Sequence, residues 1–412
     1  MTKRRGKGEG CISKRKDGTW QGYVTIGYNP ETGNPKRKYF SGKTRKEIQE
    51  KINKVAGKVQ EGTYKEPSKM RVAEWFNVWI EEYQKTSLRA TTWESYKMQI
   101  DKHILPAIGH LHLSQLQTYH LQTLYNDKQK DGARLDGKSG PLSARSVRYI
   151  HMICHACLDQ AKKEGRITNN PAEAVKLPAD KTKELEFFDT EQVKAFLSEA
   201  RKTNHFAAYF LALNTGLRRG ELLGLRWSDI DMKNGYISVN RSLVRVNGEQ
   251  KFQEPKTKRS KRTIGVTKSV IDELKFHRKR QSDLMKEAGE AWENNNLVFC
   301  NELGKPLNPR TFARHYERLI QRYNREIEKE GQIKGLDVKE IEGKKLPVIS
   351  FHGLRHTFAT LSLQQGTDPR TIQEALGHHK VAFTLDVYSG VTDKMKQEAT
   401  DKIGSLLTSC LQ

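Results

Sequence analysis

The chain has 412 residues, room for two or three domains, and sets 73 Lys+Arg against 49 Asp+Glu for a formal charge of +24 and a pI near 9.7. So much self-repulsion points to a polyanionic partner, and the absence of an 18-residue apolar run, a signal-peptide core or a lipidation motif argues against a membrane and predicts a cytoplasmic, nucleoid-associated protein. Five scattered cysteines (Cys11, Cys154, Cys157, Cys300, Cys410) exclude a disulfide framework.

Residues 1–65 read as a small β-rich module with a helix. Asp17-Gly18 is a hairpin signal, and NPETGNP is a second turn, giving three short strands. The stretch KTRKEIQEKINKVAGKVQEG then forms a helix with Ile48, Ile52 and Val55 on one face. The module holds 17 basic and 6 acidic residues, a density expected of a DNA-binding footprint, with Arg4, Arg5, Lys14, Arg15, Lys16, Arg37 and Lys38 as candidate contacts. Residues 70–178 are helical, with four amphipathic candidates beginning at VAEWFNVW, TTWESYKM, HLQTLYND and SARSVRYI. Within the last, HMICHACLDQ carries a Cys-x-x-Cys, but no second ligand pair lies nearby. Helical spacing puts Val147, Ile150, Cys154, Cys157, Leu158 and Ala161 on one face, so these are core cysteines. Asn170-Pro171 and PADKTKE mark a linker.

Residues 184–412 are mixed. Asp189-Thr190 caps a helix, and FAAYFLALNTG and RRGELLGLRW are two further helical runs. Asn234-Gly235 and Asn247-Gly248 punctuate an alternating stretch that predicts a small antiparallel sheet. Helices follow to the end, interrupted by GQIKGLDVKEIEGKKLPV, read as a surface insertion. The fold class is multidomain α+β, mostly α.

No P-loop, Gly-x-Ser-x-Gly or His-Glu-x-x-His occurs. Asp229 and Asp231 lack a third carboxylate and read as a strand-entry turn. The remaining candidates are polar residues set in apolar runs: Arg218 and Glu221, then His352 and Arg355, which share a helix face at spacing three. Two arginines, a lysine-bearing hairpin and histidines suit a phosphate rather than a carboxylate–metal site.

Thr-Gly-Leu-Arg-Arg-Gly-Glu (215–221), Pro-Lys-Thr-Lys (255–258), His-Gly-Leu-Arg-His (352–356), and Leu-Gly-His followed ten residues later by Tyr388 resemble the signature of the tyrosine recombinases in order and separation. The motif positions fall on Arg218, Lys256, His352, Arg355, His378 and Tyr388; Leu376-Gly377 selects His378 over His379. Nearly the whole chain shares the resemblance. Residues 1–65 look like an arm-type DNA-binding module, 70–178 like a helical, SAM-like core-binding domain, and 184–412 like the catalytic domain of integrases of temperate phages and conjugative transposons. The segment 331–345 departs from the pattern.

The resemblance implies strand exchange on double-stranded DNA, at core-type and arm-type attachment sites, without metal, nucleotide or other cofactor. Tyr388 would attack a scissile phosphate to leave a 3′-phosphotyrosyl link and a free 5′-hydroxyl. Arg218 and Arg355 would clamp the non-bridging oxygens, Lys256 would protonate the departing 5′-oxygen, and His352 and His378 would hydrogen-bond the phosphate or help move the tyrosine proton, with Glu221 in support. It also implies a homo-oligomer on DNA, tetrameric in synapsis, a directionality factor, and a C-terminal tail (TDKMKQEATDKIG, then SLLTSCLQ) that forms a small amphipathic helix, docking on a neighbouring subunit or packing on its own domain. A type IB topoisomerase shares the tyrosine chemistry, but the basic N-terminal module argues for site-specific integration.

Overall fold

The computed structural model describes residues 11–61, 64, 69–180, 186–254 and 261–377; Arg4, Arg5, Lys256, His378, Tyr388 and the tail beyond lie outside the described residues. Contacts divide the chain into two compact units, Met1–Lys181 and Thr182–Gln412.

The first unit opens with three antiparallel strands in the order β1 (Cys11–Lys14), β2 (Trp20–Tyr28), β3 (Pro35–Gly42), followed by α1 (Arg45–Gln60). The first turn is the expected one: Gly18 has φ 85°, and the Asp17 carboxylate accepts from the Thr19 N–H at 3.0 Å. Thr44 caps α1 by accepting from Glu47 N–H, and Ile48 and Ile52 bury themselves against Val24. A Cβ at Gly22 would stand 2.8 Å from both isoleucines, so the glycine lets the helix sit down on the sheet.

The remainder of this unit is helical. It comprises α2 (Val72–Val78), continued by wide turns through Gln84; α3 (Ala90–Gln99), continued to Ile104; α4 (Leu105–Ile108); α5 (Thr118–Lys128); and α6 (Ala144–Lys163). Trp75, Trp79, Ile100, Leu121 and Ile150 form its core. Cys154 and Cys157 lie in that core as expected; burial pushes the Cys154 thiol up to about 12, and Trp75 Nε1 donates to Cys157 O at 3.0 Å.

The second unit contains α7 (Thr190–Ala200), α8 (Phe206–Thr215), α9 (Arg219–Leu223), the strands β4 (Ile230–Asp231), β5 (Tyr236–Val239), β6 (Ser242–Val246), β7 (Glu249–Gln253) and β8 (Arg262–Gly265), then α10 (Lys268–Ala288), α11 (Pro309–Ile333), α12 (Val338–Lys344), α13 (Phe351–Gln364) and α14 (Pro369–Leu376). Asp189 caps α7 through Gln192 N–H at 2.8 Å. Phe196, Tyr209, Tyr316, Phe351 and Leu354 meet in one core that holds α7, α8, α11 and α13 together. Among the described residues no helix is long and apolar enough to cross a membrane.

Three expectations change. The alternating stretch makes two sheets rather than one: β4-β5-β8, and a separate β6–β7 hairpin closed by Asn247 (φ 51°) and Gly248 (φ 81°). The run RRGELLGLRW is helical over five residues, because beyond Gly224 the backbone pairs outward, Leu225 O accepting from Val298 N–H and Trp227 N–H donating to Asn296 O, both at 2.9 Å. The segment read as a surface insertion is largely exposed but does not interrupt the helices: it is the end of α11 plus α12, with Asp337 capping α12 and Ile341 packing on Gly331, where a Cβ would lie 2.5 Å from it.

Candidate active site

Helix α8 ends at Gly216 with φ 61°, a left-handed cap that turns the chain toward α9. Arg218 is the N-cap of α9 rather than an interior helical residue, and Glu221 reaches back so that its Oε2 accepts from the Arg218 N–H at 3.0 Å. The Arg218 guanidinium donates to Glu221 Oε1 at 2.9 Å, leaving 40% of its side chain exposed. A Cβ on Gly220 would stand 2.7 Å from Leu243 O, so glycine allows α9 to lie directly on β6.

Helix α13 supplies the other pair. Arg355 is 2% exposed and donates to Gly216 O at 2.8 Å and Leu376 O at 2.7 Å. His352, one turn earlier, is exposed and stands edge-on to His356 at 4.9 Å. The protein around its ring, then the charges of His356, Arg355 and Arg218, push its pKa down to about 4. Solvent at the exposed edge offsets part of that desolvation, but the direction leaves His352 neutral at pH 7. Arg218, Glu221, His352 and Arg355 are therefore brought together.

Sequence reasoning missed Arg262. It opens β8, its side chain is 6% exposed, and it donates to both Glu221 oxygens, at 3.2 and 2.9 Å, and to Ala375 O at 2.6 Å. Burial alone would raise the Glu221 pKa; the Arg262 bonds and charge, then the charge of Arg218, outweigh it and hold the carboxyl below its usual range. Period two places Arg262 on the face of Ile264, which is buried, and a charge on the buried side of a strand calls for a partner.

With Arg218 donating to Gly377 O at 3.3 Å, three successive carbonyls at the end of α14 (Ala375, Leu376 and Gly377) each receive a guanidinium. Those carbonyls have no partner within the helix and carry the negative end of its dipole, so three cations there are electrostatically matched. The chain leaves this point directly into the segment bearing His378 and Tyr388.

Asp229, in line with its expected structural part, accepts from Asn240 Nδ2 at 3.0 Å, Arg226 N–H at 2.9 Å and Arg241. Among the described residues no three His, Cys, Asp or Glu side chains cluster as metal ligands. In the N-terminal sheet, Lys14, Arg15, Lys16 and Arg37 are exposed, and Arg15 donates to Gln21 at 2.7 Å. Arg37 lies 4.6 Å over the Tyr23 ring, which pairs with the exposed Tyr39 on the open face. Lys38 alternates to the opposite face, half-buried over Phe40 and Tyr64.

The model of the phage integrase family matches residues 186–395, and that of the phage integrase N-terminal SAM-like domain matches 72–129. The chain is similar to a XerC-like tyrosine recombinase of Caldanaerobacter subterraneus subsp. tengcongensis, 28% identical over 93% of this chain and 95% of that protein. It is similar to the ICEBs1 integrase of Bacillus subtilis, 26% identical over 96% and 100%. Among solved structures, the Tn1549 transposon integrase (residues 82–397) in complex with a circular-intermediate DNA aligns with TM-score 0.64 at 20% identity over 80% of this chain and 99% of that one. A lambda integrase dimer bound to a core site aligns with TM-score 0.55 at 18% identity over 94% and 96%.

Proposed function

The chain belongs to the phage integrase family and is a site-specific tyrosine recombinase, and from that premise we propose that Tyr388 is its nucleophile, with Arg218, Lys256, His352, Arg355 and His378 completing the site and Glu221 supporting it. The observation that carries this reading is the convergence of Arg218 and Arg355 on the end of α14, from which the segment holding His378 and Tyr388 departs, with His352 within reach of both arginines' charge.

A tyrosine of ordinary pKa near 10 needs activation and alignment to attack at pH 7. Its oxygen forms a bond to the scissile phosphorus, the bond to the 5′-oxygen breaks, and the products are a 3′-phosphotyrosyl link and a 5′-hydroxyl. The phosphotyrosyl bond retains the free energy of the phosphodiester, so a 5′-hydroxyl from a partner duplex reverses the step without nucleotide. Arg218, exposed and held by a long bond to Gly377, meets the phosphate first; Arg355 backs it from beneath. Charge growing on the non-bridging oxygens is met by preorganised donors, each worth about 10²–10³ in rate. A neutral His352 is able to accept a proton or bond the phosphate, and an incoming phosphate raises its pKa from the depressed value of the free protein. Lys256 delivers the proton to the departing 5′-oxygen.

In the same reading, residues 1–65 bind arm-type sites through the open face bearing Arg15, Tyr23, Arg37 and Tyr39, residues 70–178 hold core-type DNA, and 184–412 cut and rejoin it. Strands inserted into a groove are an established way to read duplex DNA. Lambda integrase has been seen as a tetramer on a Holliday junction, and a tetramer at synapsis, with a directionality factor choosing integration or excision, is the corresponding assembly here. The test is a nicked suicide duplex carrying the core-type site: the wild type accumulates a covalent protein–DNA adduct, with or without EDTA, and Tyr388→Phe accumulates none. An adduct persisting in that variant sinks the assignment.

A further inference from the structure

Resting on that reading, we propose that Arg262 is a positioning residue for strand cleavage: it neutralises Glu221 and so holds Arg218 turned outward to the scissile phosphate. Each Glu221 oxygen carries one donor from each arginine. Oε1 accepts from Arg218 at 2.9 Å and from Arg262 at 3.2 Å, and Oε2 accepts from the Arg218 N–H at 3.0 Å and from Arg262 at 2.9 Å. Glu221 and Arg262 are both 6% exposed at the side chain, whereas Arg218 is 40% exposed. The buried arginine therefore balances the buried carboxylate, and the exposed one retains charge for an incoming anion. Without Arg262, Arg218 is the remaining counter-charge to Glu221 and is drawn inward, away from the phosphate.

Arg262 is itself fixed on two sides. Its Nε is anchored on Ala375 O at 2.6 Å, and its backbone pairs with Val239 at the start of β8. Gly377 leaves room for it, since a Cβ there would come within 3.3 Å of its guanidinium. Lysine keeps the charge, but its donors sit on one nitrogen and lack the planar fork by which three separate nitrogens of Arg262 reach the two carboxylate oxygens and the carbonyl. A displacement of about 1 Å in a reacting constellation costs on the order of 10²-fold.

The full-length chain is compared with Arg262→Lys and Arg262→Gln for single-turnover adduct formation at saturating nicked duplex. One duplex has an ordinary scissile phosphodiester; the other has a methylphosphonate there, whose neutral phosphorus has less need of the Arg218 clamp. Arg262→Lys is expected to slow cleavage of the phosphodiester about 10- to 100-fold, Arg262→Gln more, with duplex affinity unchanged. On the methylphosphonate both variants come within a few-fold of wild type. An equal defect on both duplexes, or none on either, overturns the inference, as does the loss of a cooperative melt in both variants, which makes Arg262 a requirement of folding. A wild type that forms no adduct overturns the underlying functional reading instead.

Discussion

At the scale of single residues, the site is organised by what arginine does with backbone oxygen. Arg355 is buried and ties Gly216 O to Leu376 O, so it joins the end of α8 to the end of α14 before any substrate arrives. Gly216 is the hinge of that link. It has φ 61°, and a Cβ would stand 2.5 Å from Leu376 Cδ2 and 2.7 Å from Phe358 Cδ1. Left-handed backbone costs an L-residue roughly 1–2 kcal/mol before any clash. Gly216→Ala is accordingly expected to lose about 2–3 kcal/mol of stability, read from urea denaturation, and to slow cleavage by displacing the Arg355 acceptor. Arg218, Glu221, His352 and Arg355 are legible in the sequence because charged side chains interrupt apolar runs at helical spacing. Arg262 is harder to see, because the nearby Lys256, Lys258, Arg259 and Lys261 make it look like one more basic residue of a surface loop. Its alternation with Ile264 is the single local signal.

At the scale of elements, α9 is five residues long and too short to persist alone, so its place is dictated by what it lies on. Gly220 and Gly224 bring its backbone against Ser242 and Leu243 of β6, and this sets the direction in which Arg218 and Glu221 project. Gly220→Ala drives a methyl to 2.7 Å from a carbonyl oxygen of the sheet, which has little room to yield. We expect a loss of about 1–3 kcal/mol in a denaturant melt and a matching fall in adduct formation, while the fold of residues 11–180 is unaffected. Long amphipathic helices such as α6 and capped ones such as α7 follow directly from periodicity and Asp189. The split between β4-β5-β8 and the β6–β7 hairpin does not, since alternation identifies strands but not which strand β8 pairs with. Helix α12 is likewise too short to show a period; Ile341 against Gly331 is a tertiary fact.

At the scale of the whole molecule, histidine burial couples stability to pH. In the core of the second unit, burial and then neighbouring positive groups depress the His205 pKa to about 4, and burial first of all lowers His277 and His315 as well. Tyr209 and His315 share a hydrogen bond of 2.9 Å beside His205. These groups bind protons more readily when unfolded, near their ordinary value of about 6.5. Stability is therefore complete above that pH and declines as pH falls from about 6.5 toward 4; Glu221, depressed in the fold, adds to the decline at the acid end. Urea midpoints measured at pH 7.5 and pH 5 are expected to differ in that direction for the second unit, and a midpoint that rises on acidification contradicts it.

The three carbonyls closing α14 have a consequence for selectivity. Together with the Glu221 carboxylate, which pairs with Arg218 and Arg262, they keep the three guanidiniums spread and fixed in direction. A loose inorganic anion competes with a backbone partner for each of these charges and gains little in exchange. If Arg218 and Arg355 hold the scissile phosphate as proposed, a phosphate in a duplex comes already tethered by the rest of the DNA and competes at a high effective concentration. On the proposed reading, the site thereby favours a phosphate held in a duplex over a free inorganic anion, and inorganic phosphate is expected to compete only weakly with duplex for adduct formation.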